Sequence, residues 1–150
     1  MATPNGPING TDLKIFSSAG GSTELIAFSQ TCTLNVSLEL RDITNKSSSG
    51  FQENLEGVRS FTVDVEGLYA YNDGAGTPAA LTNGVDDLIE TNVITARQSF
   101  DFEFSAAGTN TGEKLYSGKA FLTSVALTGG TEDNATYSVT LQGTGALSIT

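Results

Sequence analysis

Apolar residues along this chain recur mostly at every second position, the period of a strand that buries one face. In residues 99–105, "SFDFEFS", Phe100, Phe102 and Phe104 alternate with Asp101 and Glu103. The pattern returns in "SFTVDVEG", where Phe61, Val63 and Val65 oppose Thr62, Asp64 and Glu66. It returns again in "TCTLNVSLELRDI", where Leu34, Val36, Leu38 and Leu40 oppose Asn35, Ser37, Glu39 and Arg41, a half-buried strand. "LKIF" and "ELIAFS" around "SSAGGST" read as a hairpin, and residues 115–129 and 135–149 add two more strands. The one credible helix is "VDDLIETNVI", residues 85–94, where Val85, Leu88 and Ile89 keep helical spacing and Asp86 and Asp87 suit a helix start.

These elements predict a mainly β fold: a sandwich or barrel of about seven strands with one short flanking helix covering one end. The 150 residues fit a single domain, 1–150. Residues 1–12, with two prolines and two glycines, read as an irregular N-terminal arm. Residues 44–57, "TNKSSSGFQENLEG", interrupt the strands with a polar stretch in which Phe51 and Leu55 are the large apolar residues. So long a connection reads either as a flexible surface loop or as a projecting arm anchored on a neighbour by those two side chains. The glycine-rich "GTGAL", residues 143–147, lacks the lysine and helix of a phosphate loop and reads as a bulge or a close backbone approach.

Charge narrows the function. Seventeen acidic against seven basic residues leave a net charge of −10, a field that repels phosphates and anionic lipid instead of binding them. No export signal is expected, and no apolar run approaches the roughly 20 residues needed to span a bilayer. The chain has no histidine, which removes the usual triads and most zinc sites. Cys32, the single cysteine, reads as a small apolar filler.

Asp64, Glu66, Asp101 and Glu103, if on neighbouring strands, are chemically able to hydrolyse glycosides. The chain offers no tryptophan to stack a sugar, and the acids stand on an otherwise small, polar face. "NDGAG", residues 72–76, with Asp86 and Asp87, supplies oxygen ligands for calcium but not the spacing of a twelve-residue calcium loop; turn chemistry and a helix start account for them. No metal or cofactor is expected. Carboxylates gathered on one face without matching lysines still ask for a reason, because like charges on adjacent strands cost a few tenths of a kcal/mol each.

Two stretches carry a family resemblance. Residues 42–73 hold a polar loop with an aromatic and then "G-x-R-S-x-T-x-D-x-x-G-L"; residues 117–147 hold "A-x-L-T-S-x-x-L-T-G-G-x-E-D-x-A-T-Y-S-x-x-L-x-G-x-G". Together, and in this order, they resemble the major tail, or tail-tube, proteins of long-tailed bacteriophages and related gene transfer agents. The resemblance implies a β-sandwich, six copies per ring, and rings stacked into a hollow tube that conducts DNA during ejection. The patterned hairpins would join those of neighbours into one closed barrel, which removes unpaired strand edges.

Under that implication Asp64, Glu66, Asp101 and Glu103 face the lumen, with Glu39 beside its counter-charge Arg41. A ring of about −60 formal charges would repel DNA and keep it sliding, with no specific binding. Phe51 and Leu55 would pack against the adjacent ring, and residues 1–12 would add inter-subunit contact. The expected partners are further copies of the chain, a tape-measure protein and a tail terminator, without a membrane. The expected location is the virion tail, assembled in the host cytoplasm. With the "LSIT" strand last, no appended decoration domain is expected.

Two other readings stand beside this one. An inner-tube protein of a contractile tail or secretion apparatus would share the fold. A monomeric carbohydrate-binding β-sandwich would need an exposed aromatic platform, for which Tyr69, Tyr71, Tyr116 and Tyr137 are the candidates.

Overall fold

The computed structural model describes residues 10, 13–17, 24–26, 29–69, 88–106 and 114–150. Among these residues seven strands form: β1 (Leu13–Ser17), β2 (Glu24–Leu25), β3 (Ser29–Asp42), β4 (Asn54–Leu68), β5 (Phe100–Ala106), β6 (Leu115–Thr128) and β7 (Thr136–Ile149). They make one antiparallel sheet in the order β2-β1-β5-β6-β7-β4-β3. The expected N-terminal arm, the turn at 72–84 and the start of the helix lie outside the described residues.

The long β6–β7 hairpin lets one sheet serve as two walls. Residues 115–120 of β6 pair with β5, whereas residues 136–142 of β7 pair with β4. The β6–β7 ladder shifts register twice, between Ser117 and Lys119 within the first zone and between Leu122 and Ser124, opposite Leu141 and Thr140, within the second. Such irregularities bend strands, so the sheet curls and its ends come to face each other. Phe61 of β4 meets Phe102 of β5 with ring centroids 5.8 Å apart, although two strands separate them in the sheet. The Cys32 thiol of β3 donates to the Leu13 carbonyl of β1 at 3.5 Å.

Alternate residues fill the space between the walls: Phe61, Val63 and Val65 from one side, Phe100, Phe102 and Phe104 from the other, with Leu122, Tyr137, Val139 and Leu141 from the shared hairpin. Full burial of each such side chain contributes about 1.5–3 kcal/mol. Leu88 is buried and Ile89 half-buried, as the helical spacing predicts. Beyond them the backbone widens into a π-helix over Glu90–Thr95. The buried Asn92 amide donates to the Leu88 carbonyl at 3.2 Å. That carbonyl is the acceptor an α-helix would give to the backbone N–H of residue 92, so the side chain competes with the regular ladder.

The alternation along β3 is real but does not have the predicted cover. Leu34 is half-buried, whereas Val36, Leu38 and Leu40 are 61%, 50% and 61% exposed. β4 pairs with β7 only over Thr62–Leu68, so toward the turn β3 and β4 pair with each other alone and project beyond the body. The predicted loop is also shorter than expected: β4 begins at Asn54, and Leu55 lies in it opposite Arg41.

Candidate functional site

Period-two alternation turns one side of β4 into the core and the other into a polar surface. The register carries that surface across four strands. Thr33, Asp64, Thr140 and Ser124 form one row, and Thr31, Glu66, Ser138 and Ala126 the next. Asp64 is fixed from both sides: Asn35 Nδ2 donates to one carboxylate oxygen at 3.1 Å and Thr140 Oγ1 to the other at 3.0 Å. The Ser37 and Ser60 hydroxyls bond each other at 2.7 Å, and Gln142 Nε2 donates to the Phe61 carbonyl at 3.2 Å. Short side chains bonded to one another leave few free donors and little relief. Glu66 is exposed, and Glu39 stands on the same face farther along the projecting hairpin, next to Arg41.

The expectation of one wall holding all four acids is corrected by the topology. Asp101 and Glu103 do lie on the non-core side of their strand, as alternation predicts. β5 and β4, however, are not neighbours; β6 and β7 stand between them. Because Phe102 and Phe61 meet through the core, the outward residues of β5 and β4 project from opposite walls. Asp101 and Glu103 instead flank a surface groove of about 490 Å³ with Ser117, Lys119 and Thr144. There Lys119 Nζ lies 3.9 Å from Asp101, an exposed pair of the kind that contributes about 0–1 kcal/mol.

The alternative chemistries find little support. Among the described residues no group of three or more Cys, Asp or Glu is placed to hold a metal, and the calcium candidates at 72–76 and at Asp86 and Asp87 lie outside them. Burial pushes the Cys32 thiol up, opposite to the shift that activates a nucleophile. No aromatic platform forms from the described tyrosines. Tyr137 is buried, Tyr116 packs edge-on to Phe104 with centroids 6.5 Å apart, and Tyr69 is half-buried against the core; Tyr71 lies outside the described residues.

The turn between β3 and β4 is closed by hydrogen bonds within its own hairpin. Asp42 accepts from the Thr44 N–H at 2.8 Å, and the Thr44 hydroxyl, followed by this N–H, holds its carboxyl below the usual range. Asn45 accepts from the Ser47 N–H at 2.8 Å, and Ser48 Oγ accepts from the Asn45 N–H at 3.1 Å. Thr44 Oγ1 accepts from the Glu53 N–H at 3.0 Å. Ser49 and Gly50 take positive φ values of 51° and 82°, which reverse the chain and present Phe51 to solvent, 77% exposed. Leu55 is 51% exposed. Asx and Ser signals in "TNKSSSG" carry this turn, and a residue-by-residue reading of turn chemistry finds it.

A second feature escapes sequence reasoning. The half-sheet β3-β4-β7-β6 has two long bare edges among the described residues: all of β3 on one side, and β6 from Phe121 to Thr128 on the other, where β5 no longer reaches.

Comparison with known proteins agrees with this geometry. The family model for phage tail tube proteins matches residues 8–149. Among solved structures, the fold is similar to a chain in the virion of a native gene transfer agent particle, with 23% identity, a TM-score of 0.74, and coverage of 96% of this chain and 99% of that one. It is also similar to a chain from the tail of an empty gene transfer agent particle determined with C6 symmetry, with 24% identity, a TM-score of 0.72 and the same coverage. The SPP1 tail tube is similar at 19% identity and a TM-score of 0.68, over 95% of this chain and 78% of that one. No curated protein sequence matches. With the family match running over nearly the whole length, and a curled sheet of the same fold, this chain belongs to the phage tail tube protein family.

Proposed function

We propose that six copies of this chain close into a ring, that rings stack into a hollow virion tail tube, and that the face of β3, β4, β7 and the distal half of β6 lines a bore that conducts DNA. The observation that carries the reading is the pair of bare edges. Strand directions alternate across β3-β4-β7-β6, so a cyclic neighbour brings its β6 edge antiparallel to β3, and closure pairs both of these edges. The C6 symmetry of the gene transfer agent tail supports six as the number. Four strands from each of six protomers, about 4.8 Å apart and tilted about 40°, span about 50 Å at the backbone, room for a hydrated duplex.

The chemistry of the face suits passage without adhesion. Its side chains are mostly Thr, Ser, Asn and Gln around Asp64 and Glu66, with Phe121 and Ala126 on β6, Glu39 toward the tip and Arg41 the cation beside it. Phosphate binding takes Lys, Arg or free donors, and apart from Arg41 near the tip this face offers carboxylates and hydroxyls, several already bonded to one another. Asp101 and Glu103, on the opposite wall, then point away from the bore. A tape-measure protein within the tube and a terminator at its end complete the expected partners.

The test reverses charge on each wall in assembled tails. Asp64→Lys with Glu66→Lys slows or stalls DNA release, whereas Asp101→Lys with Glu103→Lys leaves its rate unchanged. Equal rates for the two variants, or slowing only by the second pair, would refute the assignment of the bore.

A further inference from the structure

Among the described residues, one aromatic and one cation stand apart on the polar face assigned to the bore. Alternation places Phe121 of β6 there, 42% exposed, and Arg41 of β3, also exposed. They lie on the two edge strands of the half-sheet, far apart within one copy. Arg41 has Leu55 opposite it in β4, and among the described residues no carboxylate lies within 4.0 Å of its guanidinium. Left so, each copy would offer passing phosphates a group that binds them in bidentate fashion.

Hydrogen bonds fix how the two edges meet. Ser37 Oγ donates to the Ser60 carbonyl from β3, and Gln142 Nε2 donates to the Phe61 carbonyl from β7, so the bore-facing residues of β4 aim their backbone polar groups at β3. Thr123 Oγ1 of β6 donates to the Thr140 carbonyl, so the bore-facing residues of β7 aim theirs at β6. Bore-facing residues of β3 and β6 therefore turn their own N–H and C=O groups inward, and across a seam they meet as non-hydrogen-bonded pairs, whose side chains stand closest. For L-residues this arrangement sets β4 to the right of β3 when the bore face is viewed with β3 running upward. Given the right-handed coil of barrel strands, a row perpendicular to the strands then reaches the next copy farther along its β3, toward higher residue numbers. An eight-stranded barrel tilted about 36° is staggered by about eight residues, one per strand, so four strands per copy displace the row by about four. The row Asn35, Thr62, Gln142, Phe121 accordingly meets Glu39 of the next copy, with Arg41 diagonal to Phe121 and within reach of its ring.

From this geometry we infer that the Phe121 side chain of each copy covers the Arg41 guanidinium of the next and, with Glu39, withdraws the bore's cation from the phosphates of passing DNA. A cation within about 6 Å of an aromatic centroid is held by the negative face of the ring. The inference rests on the six-copy reading above and adds the register of its seam and a role for Phe121 in keeping the bore non-adhesive.

The experiment measures DNA release from assembled tails at low and high salt, with cross-linking to check placement. Phe121→Leu keeps an apolar side chain at the seam but has no aromatic face; it slows release about threefold or more at low salt, and high salt removes the difference. Adding Arg41→Gln restores the parent's rate in both. In a Cys32→Ser background, Phe121→Cys with Glu39→Cys joins neighbouring copies on mild oxidation, whereas Phe121→Cys with Thr31→Cys, the opposite stagger, leaves them separate. Release from Phe121→Leu at the parent's rate in low salt, no rescue by Arg41→Gln, or intact rings in which the Glu39 pair does not cross-link overturns the contact and leaves the six-copy reading standing. Absence of rings from the unmodified protein overturns that reading and the contact with it.

Discussion

Gly143 lies directly beneath the Phe61 ring, where a Cβ would overlap its carbon atoms; Gly145, two residues on, has open space around it but a φ of 74°. The two glycines are required for different reasons. Gly143→Ala is expected to cost about 1–3 kcal/mol through overpacking, and Phe61→Leu in the same chain recovers part of the loss. Gly145→Ala costs about 1–2 kcal/mol through backbone strain alone, and Phe61→Leu does not recover it. Urea unfolding of the four variants checks both. The glycine-rich "GTGAL" announces a close approach in the sequence, but only the fold says that the approaching group is Phe61.

Tyr137 gives a pH-dependent readout of the same core. Burial, aided by the neighbouring Cys32, pushes its phenol from 10.0 up to about 12. The folded state thus holds the proton longer than the unfolded chain does. The stability this confers is complete below pH 10 and is lost as pH rises toward about 12. Tyr137→Phe removes that loss, so its stability falls less steeply than the parent's across this window when followed by circular dichroism.

At the scale of elements, the projecting part of β3–β4 adds little to the core, and its proposed role is in assembly. Its apolar side chains are outside the core, and among the described residues the turn's hydrogen bonds stay within its own hairpin. Deleting residues 47–53 is therefore expected to leave a cooperatively melting protein, with a melting temperature close to the parent's, that forms no long tubes under the microscope. Long tubes from the deletion variant would exclude the turn from ring stacking. Alternation along β3 was legible in the sequence, since Leu34, Val36, Leu38 and Leu40 do share a side of the strand. What covers that side was not, because periodicity reports which residues share a face and carries no information about how far the partner strand extends. The same limit explains Leu55, which sits in β4 while the polarity around it reads as loop.

Across the whole molecule, one curled sheet does the work of two layers, and this separates what local pattern encodes from what it does not. The polar side of every patterned strand was legible residue by residue, including Asp64, Glu66, Asp101 and Glu103. Their division between two walls depends on the order β5-β6-β7-β4 and on the bends in β6 and β7, long-range features that no local pattern encodes. Among the described residues β3 and the distal half of β6 have no strand partner on one side, and these are the edges that the proposed ring would pair. The most direct measurement is a high-resolution helical reconstruction of tubes grown from the purified chain. The account predicts β6 of each protomer paired antiparallel with β3 of the next, Asp64 and Glu66 facing the bore, and Asp101 and Glu103 on the side away from it. Tubes in which Asp64 and Glu66 face away from the bore, or in which β3 and β6 remain unpaired, would contradict it.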